Sequence, residues 1–98
     1  MPSEARIGLG YSSYLGKRSD IDIIADIVIE AKEDTLKTRI MYKCNLSYSQ
    51  LMIYLNLLQK IGLLDSHSNE KSNKQYFRTT SKGSKFLSEY SKLKALMS

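Results

Sequence analysis

Ninety-eight residues make one domain, whose core is large enough to fold alone by a thin margin that pairing with a second copy would widen. Apolar residues at 42% and charged residues at 26% fit a globular domain and not a disordered chain. One His, one Cys and a net charge of +5 exclude an internal disulfide, leave too few ligands for the usual His/Cys metal cluster, and favour binding over catalysis.

Residues 1–17 mix Gly, Ser and Tyr without periodicity and read as an N-terminal arm. Ser19 is a candidate N-cap for a first helix. Asp20 and Asp22 suit its positive end, and Ile24, Ile27, Val28 and Ala31 recur at helical spacing to about Lys32. A short second helix is expected from Leu36 to Lys43, with Ile40 and Met41 inward, then a tight turn at Cys44-Asn45-Leu46. Ser47 with Gln50 forms a capping-box pattern that opens a third helix, whose buried stripe is Leu51, Leu55, Leu58 and Ile61 and whose stop is Gly62. Helix, short turn and Ser-capped helix form a helix-turn-helix outline.

Leu63, Leu64 and Asp65 lead into a strand ending near Ser68, and Gln75 to Thr80 reads as its return, with a polar tip between. The fold class that follows is mainly α with a small two-stranded β-wing: a winged helix-turn-helix over residues 18–80. A last helix, 81–98, spaces Phe86, Tyr90, Leu93 and Met97 by four, three and four, with Leu87 and Leu96 beside them. Such a seam predicts a homodimer through this helix.

Residues 19–34 carry Asp20, Asp22, Asp26, Glu30, Glu33 and Asp34 against Lys32 alone, a balance of −5. From Thr35 onward eleven Lys/Arg face only Asp65, Glu70 and Glu89, a balance of +8. A basic surface is the electrostatic footprint of nucleic-acid binding, because each neutralised phosphate releases counterions. Lysines that only solubilise a helical surface give the same count. The longest apolar run, Ile21 to Ile29, is cut by Asp22 and Asp26 and is far short of the roughly 20 residues that cross a bilayer, so no membrane partner is expected. The start MPSEARIGLG lacks the basic-then-apolar order of a secretory signal, and the expected location is cytoplasmic, on the nucleoid. None of the five glycines falls in a phosphate-loop or dinucleotide-binding spacing, so no cofactor and no small-molecule ligand is implied.

The segment LSYSQLMIYLNLLQKIGLL resembles the recognition helix and first wing strand of winged helix-turn-helix regulators, and TTSKGSKFLSEYSKL resembles the end of the wing and the helix after it. More narrowly, RSDIDIIADIVIEA followed by KTRIMYKCNLSYSQLMIYLNLL resembles the archaeal ten-kilodalton DNA-binding family over roughly residues 18–94. That resemblance implies double-stranded DNA binding without catalysis, as a chromatin protein or transcriptional regulator. It also implies homodimers whose C-terminal helices form an antiparallel coiled coil; here the chain leaves little more than two heptads for it.

In that fold the start of the third helix meets base edges, which nominates Ser47, Tyr48, Ser49 and Gln50. Gln50 suits adenine, while Ser47 or Ser49 suits a phosphate or a base. Ser47 and Gln50 can equally serve only as caps, and Tyr48 can instead pack on the core. Met52 and Ile53 are unusually apolar for a DNA-facing surface: they meet thymine methyls, or they bury against the N-terminal arm, or they form the docking face of a protein–protein module. Lys71 and Lys74 flank the wing tip and Arg78 lies on the return strand, all suited to phosphate or minor-groove contact. Lys37, Thr38, Arg39 and Lys43 belong to the helix that crosses the backbone, although Arg39 can instead pair with Glu30 or Asp34. His67 is expected to be exposed, and Cys44 to be a small buried hydrophobe.

Overall fold

A computed structural model describes residues 18–98, so the arm read at residues 1–17 lies outside the described residues. The chain runs α1 (Asp20–Glu30), β1 (Thr35–Leu36), α2 (Lys37–Lys43), α3 (Tyr48–Lys60), β2 (Leu64–Asn69), β3 (Lys74–Thr79) and α4 (Ser81–Met97). α1 starts where the Ser19 hydroxyl accepts from the Asp22 amide at 3.3 Å, with Asp20 and Asp22 in the first turn, where the helix dipole favours acids. It buries Ile23, Ala25, Ile27 and Val28 and stops at Glu30, short of Lys32.

The sheet has three strands, not two. β1 pairs antiparallel with β3, Thr35 opposite Phe77 and Leu36 opposite Tyr76, giving the order β1-β3-β2. Leu36, read from sequence as helical, is in this strand and serves as the N-cap of α2. A two-residue strand has no periodicity of its own, and its partner lies some forty residues away.

Between α2 and α3 the turn closes through hydrogen bonds from the Cys44 amide to the Ile40 carbonyl, 2.9 Å, and from the Leu46 amide to the Met41 carbonyl, 3.0 Å. Asn45 takes a left-handed φ of 57°, a conformation its short side chain tolerates. α3 then begins with the full capping box. The Ser47 hydroxyl accepts from the Gln50 amide at 3.2 Å, and the Gln50 side-chain oxygen accepts from the Ser47 amide at 3.0 Å. Leu51, Leu55 and Leu58 are buried, and Gly62 ends the helix with a φ of +89°. Ile61 departs from the expected stripe: as the C-cap residue it turns away from the core and is 40% exposed.

The hairpin pairs Leu64 with Thr79 through to Asn69 with Lys74. Its tip is built by two asparagines. The Asn69 side chain accepts from the Lys71 and Ser72 amides at 2.9 and 3.3 Å, and Asn73 adopts a φ of 55°. α4 is capped by Thr80, whose hydroxyl accepts from the Gly83 amide at 3.0 Å. Gly83 lies so close to the end of α3 that a Cβ there would sit 2.5 Å from the Leu63 carbonyl oxygen and 2.6 Å from the Thr79 Cγ2. One core joins Ile23, Ile27, Val28, Ile40, Leu51, Leu55, Leu58, Leu64, Phe77 and Leu87.

Candidate nucleic-acid interface

The 3.6-residue period of α3 sets its two faces. Leu51, Leu55 and Leu58 point to the core, so Ser49, Ile53, Asn56 and Lys60, spaced by four, three and four, share the opposite side, and all four are exposed. Cross-links hold the helix at this rotation. The Tyr54 hydroxyl donates to Asp20 on α1 at 2.7 Å, and the Gln59 amide nitrogen donates to the Ser66 hydroxyl on β2 at 2.9 Å. Burial and the Asp20 carboxylate together push the Tyr54 hydroxyl up to about 12, keeping it a neutral donor. Arg18 reaches from the start of α1 to the turn before α3: one guanidinium nitrogen meets Asp26 at 2.8 Å and another the Cys44 carbonyl at 2.6 Å.

The nominated residues at the start of α3 divide. Tyr48 does not pack on the core: it is 57% exposed, and the Lys37 ammonium lies 5.5 Å from its ring centre. Ser49 is exposed, its hydroxyl 3.3 Å from that of Ser47. Both Ser47 and Gln50 are occupied by the capping box, which removes the carbonyl half of the pairing proposed between Gln50 and adenine. Met52 and Ile53 do not form one docking face. Met52 is half-buried against the core, whereas Ile53 is 66% exposed on the outer side.

On α2, Thr38, Arg39 and Lys43 are exposed. The Arg39 guanidinium is 3.1 Å from Glu30, the acid-pairing alternative raised by the sequence. Lys71, Lys74 and Arg78 are exposed along the wing. His67 is only partly exposed: its Nε2 lies 2.9 Å from the Asp34 carboxylate and its ring stacks on Tyr76. Cys44 is buried, and burial with the nearby Asp26 and Glu30 charges pushes its thiol up to about 11, the state of an unreactive core residue. Sequence reading left out Asn56 and Lys60 as site residues, although the spacing from Ser49 through Ile53 would have shown them.

The C-terminal seam also divides. Leu87 is buried in the core of its own chain, which corrects its reading as an interface residue. Phe86 and Tyr90 pack partly against the same core, and the Tyr90 hydroxyl donates to Asp22 on α1. Desolvation pushes the Asp22 carboxyl up, but hydrogen bonds from Tyr90 and Ser19 and the charge of Lys94 outweigh it, so the group ends below its ordinary value. Leu93, Leu96 and Met97 remain exposed toward the helix end.

A helix-turn-helix followed by a hairpin and a closing helix defines a winged-helix protein, and the family model for the winged helix-turn-helix matches residues 17–98. The chain belongs to that family. It is 34% identical over 82 residues to an uncharacterized protein, MJ0287, of Methanocaldococcus jannaschii, covering 83% of this chain and 78% of that one. Among solved structures it is similar to Sso10a-2, a DNA-binding protein from Sulfolobus solfataricus, with a TM-score of 0.73 at 21% identity over 82% of each chain. It is also similar to an S. aureus MepR variant bound to an oligodeoxyribonucleotide, with a TM-score of 0.68 at 10% identity, covering 87% of this chain and 63% of that one. Among the described residues no helix is long and apolar enough to cross a membrane.

Proposed function

We propose that this protein binds double-stranded DNA as a homodimer, as a transcriptional regulator or a small chromatin protein, with α3 in the major groove and the wing on the backbone or minor groove. The observation that carries the reading is the free outer face of α3 (Ser49, Ile53, Asn56, Lys60), on the same domain as a hairpin whose tip carries exposed Lys71 and Lys74. Phosphate contacts would come from Lys71, Lys74 and Arg78 on the wing and from Lys37, Thr38 and Lys43 on α2. Arg39, held by Glu30, would have to exchange partners to join them. That Sso10a-2 is a DNA-binding protein and that the MepR variant is bound to an oligodeoxyribonucleotide support the reading.

In the proposed dimer the final turns of α4 meet their copy through Leu93, Leu96 and Met97, with Phe86 at the margin. Exposed side chains of this size gain roughly 1.5–3 kcal/mol each when buried. The test is a gel shift on random duplex DNA at two salt concentrations, with sedimentation in parallel. Binding that weakens steeply with salt, by a dimer, is the expected result. A second reading, docking to another protein, rests on Ile53 and Leu57 of α3 and its C-cap Ile61, exposed apolar residues spaced by four. Capture that does not respond to salt would favour it.

A further inference from the structure

From Tyr48 to Gln59, α3 contains no charged side chain; its first charge is Lys60. Guanine is most commonly read in the major groove by Arg or Lys, and cytosine by Asp or Glu. The base-facing part of this helix has neither. Its outer face offers a hydroxyl (Ser49), an isoleucine (Ile53) and a carboxamide (Asn56), with an ammonium (Lys60) one turn further on. Asn pairs bidentately with the N6 and N7 of adenine, and an apolar side chain complements the methyl of thymine. The side-chain oxygen of Gln50 is held by its own cap, whereas the exposed Asn56 carboxamide has no hydrogen-bond partner among the described residues, so Asn56 is the amide open to a base.

Ile53 is the unusual member. It is 66% exposed, on the side of the helix opposite the buried Leu51 and Leu55 two residues to either side, so packing within the chain does not account for it. Leu57 and Ile61 lie toward the far end of the helix, while Ile53 is flanked by Ser49 and Asn56. One branched apolar side chain between two hydrogen-bonding ones matches an A·T pair, which presents a methyl beside an acceptor and a donor.

We infer that α3 reads A·T pairs, with Ile53 against the thymine 5-methyl group and Asn56 on adenine. This rests on the reading of α3 as the groove-entering helix, and the experiment separates the two. Fluorescence anisotropy would compare alternating poly(dA-dT), poly(dA-dU) and poly(dG-dC) duplexes, each at two salt concentrations, for the native chain and Ile53→Ala. Thermal unfolding would confirm that the exposed substitution leaves the fold intact.

The native chain should bind dA-dT about fourfold more tightly than dA-dU for each methyl that Ile53 covers. It should prefer dA-dT to dG-dC by tenfold or more. Ile53→Ala should bind dA-dT and dA-dU alike. Because the same two duplexes are compared in both proteins, any difference in duplex stiffness cancels. Salt-sensitive binding without thymine–uracil discrimination, or discrimination that survives in Ile53→Ala, overturns the inference and leaves DNA binding standing. Affinities that do not change with Ile53→Ala would hand this side chain to a protein partner. No salt-sensitive binding to any of the three duplexes would overturn the DNA reading itself.

Discussion

α3 and α4 are both amphipathic, and both leave apolar side chains in solvent, but they are anchored differently. α3 is held at both ends and along its buried side: Leu51, Leu55 and Leu58 are at most 1% exposed, its start is closed by the capping box, and the carbonyls just past its end are occupied. The Lys82 ammonium donates to the Ile61 carbonyl and the Thr80 hydroxyl to the Gly62 carbonyl, each at 2.6 Å. α4 is anchored through Gly83, Leu87 and Tyr90, and beyond Tyr90 only Lys94 reaches back to another of the described residues, 3.4 Å from Asp22. An exposed Ile53 on a firmly held helix among hydroxyl and amide groups suits the proposed reading of bases. Exposed Leu93, Leu96 and Met97 on a helix end with fewer anchors suit the proposed contact with a second copy. On these proposals the same residue type serves two purposes according to how firmly its helix is held.

That contrast can be broken first at Gly83. Its missing Cβ lets α4 lie against the Leu63 carbonyl and the Thr79 side chain, so Gly83→Ala must push α4 away from the α3–β2 connection and the end of β3. The expected loss is about 3 kcal/mol, at the upper end of overpacking costs, read by denaturant unfolding. At the free end of α4, Leu93→Glu with Leu96→Glu should dissociate the proposed dimer by at least tenfold in sedimentation while leaving the melting of the protomer nearly unchanged. A large drop in stability instead would mean that these side chains serve the protomer.

The capping box is the next test. Ser47→Ala removes the acceptor for the Gln50 amide and should cost about 1 kcal/mol. Comparable in size, Tyr90→Phe removes a donor to Asp22 and should cost about 1 kcal/mol at neutral pH. Its pH dependence carries a sign. Because the Asp22 carboxyl is lowered by folding, its contribution is fully present above the ordinary value of 3.8 and is lost as pH falls through the lowered one. The gap between native and variant stabilities should therefore narrow in acid, and a gap that widens there would contradict the assignment. Last, Lys71→Ala with Lys74→Ala should leave stability within about 0.5 kcal/mol, since both are exposed. Their effect should appear in binding, as a salt slope shallower by up to about two units and a similar loss on every sequence.

Much of this was legible in the chain because the signals are local. Ser19 and Ser47 with Gln50 mark two helix starts within three residues of themselves, Gly62 marks a stop, and the leucine spacing of α3 declares its buried side. The wing tip was legible as polar, though not that Asn69 and Asn73 would shape it. What stayed hidden depends on distant partners. β1 exists because Thr35 and Leu36 meet Phe77 and Tyr76, and no pattern in two residues announces that.

The site shows the same division. By itself the sequence determined that α3 carries no charge before Lys60, that its outer face is Ser49, Ile53, Asn56 and Lys60, and that the basic residues gather after Thr35. Periodicity and composition are properties of the chain alone. Only the tertiary structure decided which side chains remained available. It turned Met52 inward while leaving Ile53 out, drew Arg39 to Glu30, and placed Leu87 in the core. Those outcomes turn on which groups meet across elements far apart in sequence, and burial and hydrogen bonding are settled only when the elements pack.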